Sequence, residues 1–205
     1  MAYTITDVEE FDHKRVKVTL DYGEVAFLLY KGELKSLSIG KNGGKEELSD
    51  AEYAAIRDDI LVPRAKKRVL YYMKNADKTR HQIRQKLKEG YYPEEVITAV
   101  MKFLDHYGFA DDRSYAESYI EELRGTRSRR EIEAKLMQRG LKPADIRLQL
   151  EALTEEDEQK ACRYAFEKQF GRTTDAEKLK KAYGYLMRKG FTSASIRSTL
   201  DVISE

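Results

Sequence analysis

Clusters of arginine and lysine recur at three related places along this chain. The middle cluster, around the segment TRSRREIEAKLMQRGLKPADI at 126–146, crowds the start of a helical pattern. A basic group that returns at related positions would form a stripe able to contact phosphates or an acidic protein surface. The candidate contact residues are Arg80, Arg84 and Lys86 in the first cluster, Arg124, Arg127, Arg129, Arg130, Lys135 and Arg139 in the middle cluster, and Lys181, Arg188 and Lys189 in the last.

A solvated helix face is the other interpretation of these charges, and the sequence leaves both open. The 38 Lys and Arg residues nearly cancel the 36 Asp and Glu residues, so the formal net charge is only +2. A polycation that coats DNA is therefore excluded. Any contact with nucleic acid must depend on local segregation of charge.

Motifs of catalysis and metal binding are absent from the sequence. There is no G-x-x-x-x-G-K-[ST], G-x-S-x-G or H-E-x-x-H segment, and the histidines are scattered, at His13, His81 and His106. Asp111 and Asp112 could hold a divalent cation. Their place after YGFA and before an apolar-periodic run favours an N-cap and a first-turn acid instead. We therefore expect no enzyme, no catalytic residue, no metal and no cofactor.

The expected compartment, the single cysteine and the tyrosines say little that is specific about function. No apolar stretch is long enough to span a bilayer and the start lacks a secretory pattern, so we expect a cytoplasmic protein without membrane contact. The single cysteine, Cys162, excludes an internal disulfide and should pack as a small apolar residue. Core packing with the hydroxyls at the rim is the expected role of the 14 tyrosines; base stacking is the alternative, for which Tyr91 and Tyr92 at a turn are the pair expected to be exposed.

The elements that must position the basic clusters begin after a small β-module. The runs YTITDVEEF, RVKVTLDYGEVAFLLY and LKSLSI are rich in β-branched and aromatic residues, and Asp21–Gly23 supplies a turn. The glycine-rich segment GKNGGKEEL then breaks the pattern, and SDAE at 49–52 is a capping box that opens a helix. Prolines at 63, 93 and 143 each stand at an expected helix start.

The helical part contains a repeat. Alignment of Leu87, Leu136 and Leu186 gives periods of 49 and 50 residues (136−87 and 186−136) and brings further apolar columns into register without gaps: Ile97, Ile146 and Ile196; Met101, Leu150 and Leu200; Leu104, Leu153 and Ile203. Helix starts with capping-box chemistry precede the Leu column at Thr79, Ser128 and Thr174. Gly140 and Gly190 follow it, with Gly90 one place earlier in the first unit.

The predicted fold is mainly α. Three tandem three-helix repeats form an elongated array, preceded by a small N-terminal antiparallel β-module. The expected domains are the β-module at 1–48, the first repeat with a lead-in helix at 49–106, the second repeat at 107–154 and the third at 155–205. We expect the protein to be a monomer.

Four segments in this order and spacing resemble the RecX family of bacterial proteins that modulate the RecA recombinase. They are DKTRHQIRQKLKEGYYPEEVI, LDHYGFADDRSYAESYI, TRSRREIEAKLMQRGLKPADI and YLMRKGFTSASIRSTL. The resemblance implies a string of three-helix repeats, with the RecA–DNA filament as partner. It also implies inhibition of strand exchange, ATP hydrolysis and coprotease activity, and hence a place in recombination, repair and the SOS response. Single- or double-stranded DNA is a further candidate partner.

The chain departs from the family pattern at two places. Tyr91 stands where the family usually has Gly, and the third unit lacks the Ser/Thr-Arg helix start. Two other functions remain open from the residues alone. A general nucleic-acid-binding helical module would bind free DNA or RNA with a steep salt dependence, whereas a protein-interaction scaffold would ignore both RecA and DNA.

Overall fold

A four-stranded antiparallel sheet opens the chain in the computed structural model, which describes residues 2–23, 25–40 and 44–204. The strands are Ala2–Glu10 (β1), Arg15–Leu20 (β2), Val25–Tyr30 (β3) and Glu47–Ser49 (β4), and their order in the sheet is β3-β2-β1-β4. Alternate residues of β2, Val16, Val18 and Leu20, are buried while those between them are partly exposed. One face of the sheet thus supplies apolar core.

The β-module is confirmed with one error in its elements. At the predicted turn, Asp21 and Tyr22 adopt left-handed backbone angles (φ 46° and 56°), which residues other than glycine take mainly in turns. The prediction of a strand at LKSLSI is wrong, because Lys31–Ser36 forms a short helix (α1). The Glu33 carboxylate accepts a hydrogen bond from the Tyr30 N–H at 2.8 Å and so caps the helix. Residues 41–43 of the predicted glycine-rich break lie outside the described residues.

A long helical run follows the sheet. Ser49 caps Asp50–Ala55 (α2), which continues through a π-helical segment at Ile56–Leu61 into Val62–Met73 (α3). The capping box at Ser49 is confirmed, and Pro63 stands in the first turn of α3 as predicted, although α3 continues from the π-helical segment without a break. Proline lacks an N–H and crowds the carbonyl four residues before it, and the wider π turn directly upstream is where the helix accommodates that change.

The sheet and the first helices share one apolar core. Helices Arg80–Lys88 (α4) and Glu94–His106 (α5) complete this part, and Pro93 precedes α5 as predicted. The core joins Leu20 and Phe27 of the sheet to Val69, Leu87 and Leu104 of the helices. The chain divides into two compact units, Met1–Ala110 and Asp111–Glu205, and this core belongs to the first.

Among its described residues, the second unit contains six helices and no strand. Its helices are Asp112–Leu123 (α6), Arg129–Gln138 (α7), Pro143–Leu150 (α8), Glu155–Phe170 (α9), Ala176–Arg188 (α10) and Ser193–Ser204 (α11). One apolar cluster joins α6, α7 and α8, and another joins α9, α10 and α11. Leu87, Leu136 and Leu186 are all fully buried, as the repeat predicts. The four-part division of the chain stays a prediction.

Helix ends follow the predicted chemistry with one exception. Thr79 and Ser128 cap α4 and α7, and Asp111 caps α6 as expected. The prediction of Thr174 as the third cap is wrong, because Asp175 accepts the hydrogen bond from the Lys178 N–H at 2.9 Å and fills that place. Both side chains are good caps, so local sequence alone does not choose between neighbours.

In each unit, the helix that contains the aligned leucine is followed by a residue with left-handed backbone angles. Gly140 and Gly190 have φ of 84° and 89°, which only glycine adopts without strain. In the first unit Tyr91 adopts φ 55° at the related turn, an uncommon conformation for a residue other than glycine. Cys162 is buried, as expected of a small apolar residue, and burial raises the pKa of its thiol. No helix in the described ranges is long and apolar enough to cross a membrane.

Replacement of Leu136 by Ala should lower the free energy of unfolding by about 2–5 kcal/mol, because a fully buried side chain would leave a cavity in the small core of α6–α8. Urea denaturation followed by circular dichroism measures the change. The neighbouring Met137→Ala is the control, since Met137 is 43% exposed and should cost much less. An equal loss of unfolding free energy in the two variants would contradict the prediction that Leu136 is a buried residue of the repeat.

Candidate partner-binding surface

Ser128 at the start of α7 links the middle and last basic clusters. Its side chain is fully buried, and its Oγ accepts a hydrogen bond from the Glu131 N–H at 3.1 Å. The same hydroxyl donates to the carbonyl oxygen of Lys189 at 2.6 Å, just past the end of α10. A predicted helix cap therefore also holds together two turns that lie 61 residues apart in sequence.

Arg130 packs over the turn that follows α10. A β-carbon built on Gly190 would lie only 2.9 Å from the β-carbon of Arg130. Because Arg188 and Lys189 immediately precede that glycine, the backbone segments that carry the middle and last predicted clusters lie side by side here. We call Arg127, Arg130, Arg188 and Lys189 the α7–α10 basic surface.

Arg124 and Arg129, in contrast, are occupied inside the second unit. The Arg129 guanidinium donates to the Leu153 carbonyl oxygen at 2.6 Å, and its backbone N–H donates to the Glu158 carboxylate at 2.9 Å. Arg124 donates to the carboxylates of Glu121 and Asp157, at 2.9 and 3.1 Å. These two arginines tie the loop before α7 to the first turn of α9.

The acidic run at the start of α9 has the capping role expected of it. The Asp157 carboxylate accepts a hydrogen bond from the Thr154 N–H, which is the main reason that its pKa is lowered, and the charge of Arg124 acts in the same direction. Burial raises the pKa of Glu158, against the opposing effect of the hydrogen bond and charge of Arg129. The two neighbouring carboxylates thus shift in opposite directions.

The α7–α10 basic surface retains cations that are weakly paired or unpaired. Among the described residues, no hydrogen bond or ion pair of the Arg130 or Arg188 side chain is present, and the same holds for Lys135, which lies on α7 outside this surface. The Arg127 guanidinium lies 3.7 Å from Glu131, a long ion pair, and the Lys189 ammonium lies 5.8 Å from the centre of the Tyr185 ring. These charges remain available to an external anion.

Other predicted contact residues have neighbours of their own. Arg139 lies over the Tyr119 ring at 4.0 Å and donates to the Tyr115 hydroxyl, while the Lys181 ammonium is 4.0 Å from Glu177. The first cluster, in the other unit, is paired as well. Arg80 pairs with Asp105, Arg84 with Glu94, and Lys86 with Glu89 at 3.1 Å. The hydrogen bond from Arg80 lowers the pKa of Asp105.

One prediction about the tyrosines is wrong, and one group of cations was not predicted. The prediction that Tyr91 and Tyr92 are both exposed is wrong, because Tyr92 is only 9% exposed. Tyr71 is 79% exposed and lies beside a second group of cations on α3, which the sequence analysis did not single out. The signal was present in RAKKRVLY at 64–71, where basic and aromatic residues recur at helical spacing.

Replacement of Ser128 by Ala should lower the free energy of unfolding by about 2 kcal/mol, from about 1 kcal/mol for the cap and about 1 kcal/mol for the bond to Lys189. Thermal and urea denaturation measure this. Ser118→Ala, at an exposed position of α6, is the control and should change stability by less than about 0.5 kcal/mol. If Ser128→Ala lowers stability no more than Ser118→Ala does, the Ser128 hydroxyl does not stabilise the contact between the start of α7 and the turn after α10.

Glu158 should make a pH-dependent contribution to stability. Because its pKa is raised in the folded state, the folded protein holds this proton more tightly than the unfolded chain does. Its contribution is therefore most favourable below the unfolded pKa of about 4.3 and is lost as pH rises through the folded pKa. The unfolding free energy of the native protein, minus that of Glu158→Gln, should fall over that window.

The matched control for this titration is Glu167→Gln, at an exposed position of the same helix. Urea denaturation at a series of pH values gives both differences. A difference for Glu158→Gln that is flat, or that rises with pH, would contradict the effect of burial on this carboxyl.

Comparison with known sequences finds relatives that match this chain over nearly its whole length. Residues 65–104 match the family model for the first three-helix domain of RecX, and residues 155–200 match that for its third three-helix domain. A protein of Clostridium acetobutylicum described as "Regulatory protein RecX" is 30% identical over 210 residues. That alignment covers 98% of this chain and 97% of the relative.

Solved structures agree with these relatives. A crystal structure of regulatory protein RecX is 27% identical, with a TM-score of 0.64, and the match covers 97% of this chain and 99% of the other. RecX from Lactobacillus salivarius, 20% identical with a TM-score of 0.61 over 70% of this chain and 96% of its own, shares the fold. The helical domains, the near-complete coverage and the level of identity show together that this chain belongs to the RecX family of regulatory proteins.

Proposed function

We propose that this protein binds the RecA–DNA filament and inhibits its recombinase, ATPase and coprotease activities. It would act in the cytoplasm, in recombination, DNA repair and the SOS response, as a regulator without enzymatic activity of its own. Membership in a family of regulatory proteins named RecX supports the choice of partner. The observation that carries the proposal is the α7–α10 basic surface, where Arg130 meets the turn formed by Arg188 and Lys189.

A nucleoprotein filament presents both phosphate groups and protein along an extended surface, and this chain has charge suited to such a partner. Its net charge of +2 provides little bulk attraction for free DNA. Local cations without internal partners can still steer docking and set its orientation, because complementary charge contributes more to specificity and association rate than to raw affinity. Arg130 and Arg188 meet this requirement, whereas Arg124 and Arg129 are occupied by carboxylates and a carbonyl.

A general nucleic-acid-binding helical module is the second candidate, because the same cations suit phosphates on free DNA or RNA. The two functions differ in their response to salt. Binding that depends on phosphates alone weakens steeply with salt, by about 0.7–0.9 units of log–log slope for each phosphate contacted. Contact with an acidic protein surface need not follow that rule.

The test replaces both uncommitted arginines, as Arg130→Glu/Arg188→Glu. RecA filaments on single-stranded DNA are titrated with protein while ATP hydrolysis is measured. The native protein should slow hydrolysis, and the variant should need roughly tenfold more protein or beyond for the same inhibition, because each lost contact costs about 1 kcal/mol and charge reversal adds repulsion. Folding should survive, since both side chains are exposed.

The control is Arg147→Glu/Arg197→Glu, which makes the same change in net charge at exposed positions of α8 and α11. Equal inhibition by the two double variants would remove the α7–α10 basic surface from the proposal. No inhibition by the native protein at saturation would contradict the proposed function itself. Binding to free DNA that is as tight as binding to the filament, with the same salt slope, would favour the general nucleic-acid module.

A further inference from the structure

A cavity of about 600 Å³ lies in the first unit and is lined by residues of β2, β3, α3 and the turn before α5. Cations line it from two sides: Arg15 comes from β2, and Arg64, Lys67 and Arg68 come from α3. No carboxylate is present among the described residues that line it. The cavity is therefore a concentration of positive charge in a chain that is nearly neutral as a whole.

Two of these cations are neutralised from outside the cavity. Arg15 forms an ion pair with Asp12 at 2.7 Å, and its hydrogen bond is the main cause that lowers the pKa of that carboxyl to about 2. Arg64 pairs with Glu33 and also donates to the Leu28 carbonyl oxygen at 2.9 Å. Neither guanidinium is the first choice to hold an added anion.

Lys67 and Arg68 are the cations left without an acid. Within the described part of the chain neither forms an ion pair, and Lys67 is exposed. The Nε of Arg68 is buried and has no hydrogen-bond acceptor. A buried guanidinium N–H without an acceptor is costly, so Arg68 is not stabilised by a partner inside the described part of the fold, and its charge stands at the wall of the cavity.

Flat aromatic surfaces accompany these cations. Tyr30, Tyr71 and Tyr92 all line the cavity, and Tyr71 is 79% exposed, so one of its faces is open to a ligand. Burial raises the pKa of Tyr92, against the lowering effect of Arg64 and Arg68. Its phenol therefore stays protonated at neutral pH and can donate a hydrogen bond.

Helical spacing places the anion-binding and ring-binding groups on the same side of α3. Arg64, Lys67, Arg68 and Tyr71 stand at i, i+3, i+4 and i+7, one face of a helix. An anion held by Lys67 and Arg68 would thus lie within one helical turn of the Tyr71 ring. The volume also falls within the range of about 300–1,000 Å³ that small-ligand sites occupy.

We propose that this cavity binds a nucleotide, with its phosphate on Lys67 and Arg68 and its base stacked against Tyr71. The combination of unpaired cations with the open Tyr71 ring matches a ligand that joins an anion to a planar ring system. An inorganic anion would leave the rings unused, and an acidic peptide would gain little from them. The nucleotide is either free or the 5′-phosphorylated end of a DNA strand. This site is independent of the proposed regulation of RecA.

The experiment uses the full chain and measures binding of ADP, inorganic phosphate and short oligo(dT) with or without a 5′-phosphate by isothermal titration calorimetry. ADP or the 5′-phosphorylated oligonucleotide should bind, and inorganic phosphate should bind at least about tenfold more weakly, since it lacks a base that can stack. A tighter complex with ADP indicates the free nucleotide as the source. A tighter complex with the phosphorylated strand than with its unphosphorylated form and with ADP indicates a strand end.

Lys67→Glu and Tyr71→Ala test the two halves of the site at exposed positions, so folding should be preserved. Lys67→Glu should raise Kd by about tenfold or more, and Tyr71→Ala should raise it several-fold for ADP but leave phosphate binding unchanged. Lys102→Glu, exposed on α5 and outside the cavity lining, is the charge-matched control and should bind as the native protein does. Absence of binding by both nucleotide probes at millimolar concentration, equal Kd values for Lys67→Glu and Lys102→Glu, or phosphate binding as tight as ADP would each overturn the proposal.

Discussion

The hydroxyl of Ser128 satisfies two backbone groups at once, the Glu131 N–H in its own helix and the Lys189 carbonyl oxygen beyond α10. Three-helix units of this size bury few apolar side chains, so hydrophobic burial alone is modest. Hydrogen bonds between helix ends then help to fix how the helices lie against one another. The place of Arg130 over Gly190 follows from this link, because the backbone of one turn is held against that of the other.

That link also explains why two adjacent arginines have different roles. Arg129 and Arg130 are the first two residues of α7, and successive helical residues point about 100° apart. Arg129 therefore turns toward the Leu153 carbonyl oxygen and the first turn of α9, while Arg130 projects over the turn after α10. The same run of basic residues supplies one arginine that stabilises the unit and one that is available to a partner, so the number of cations in a cluster does not measure its binding capacity.

Local and periodic features were predictable from the sequence, and long-range pairing was not. The buried Leu column and the caps at Thr79 and Ser128 follow from spacing that repeats, and each depends on a few neighbouring residues. The helix Lys31–Ser36, which overlaps LKSLSI at residues 34–36, was missed because six residues of mixed polarity fit either period, and the Glu33 carboxylate decides between them. The partner of Arg129 lies 24 residues away, a distance at which no local pattern identifies the acceptor.

The missed helix and the missed cavity are connected by one side chain. Arg64 and Arg68 stand one turn apart on α3 and look equivalent in sequence, yet Glu33 of α1 pairs with Arg64 and leaves Arg68 without an acid. Had residues 31–36 continued as a strand, their side chains would alternate across the sheet, and the α1 cap that holds Glu33 beside Tyr30 would not form. The choice of a helix at residues 31–36 thus removes one positive charge from the cavity, that of Arg64, although Glu33 and Arg64 are separated by 31 positions in sequence.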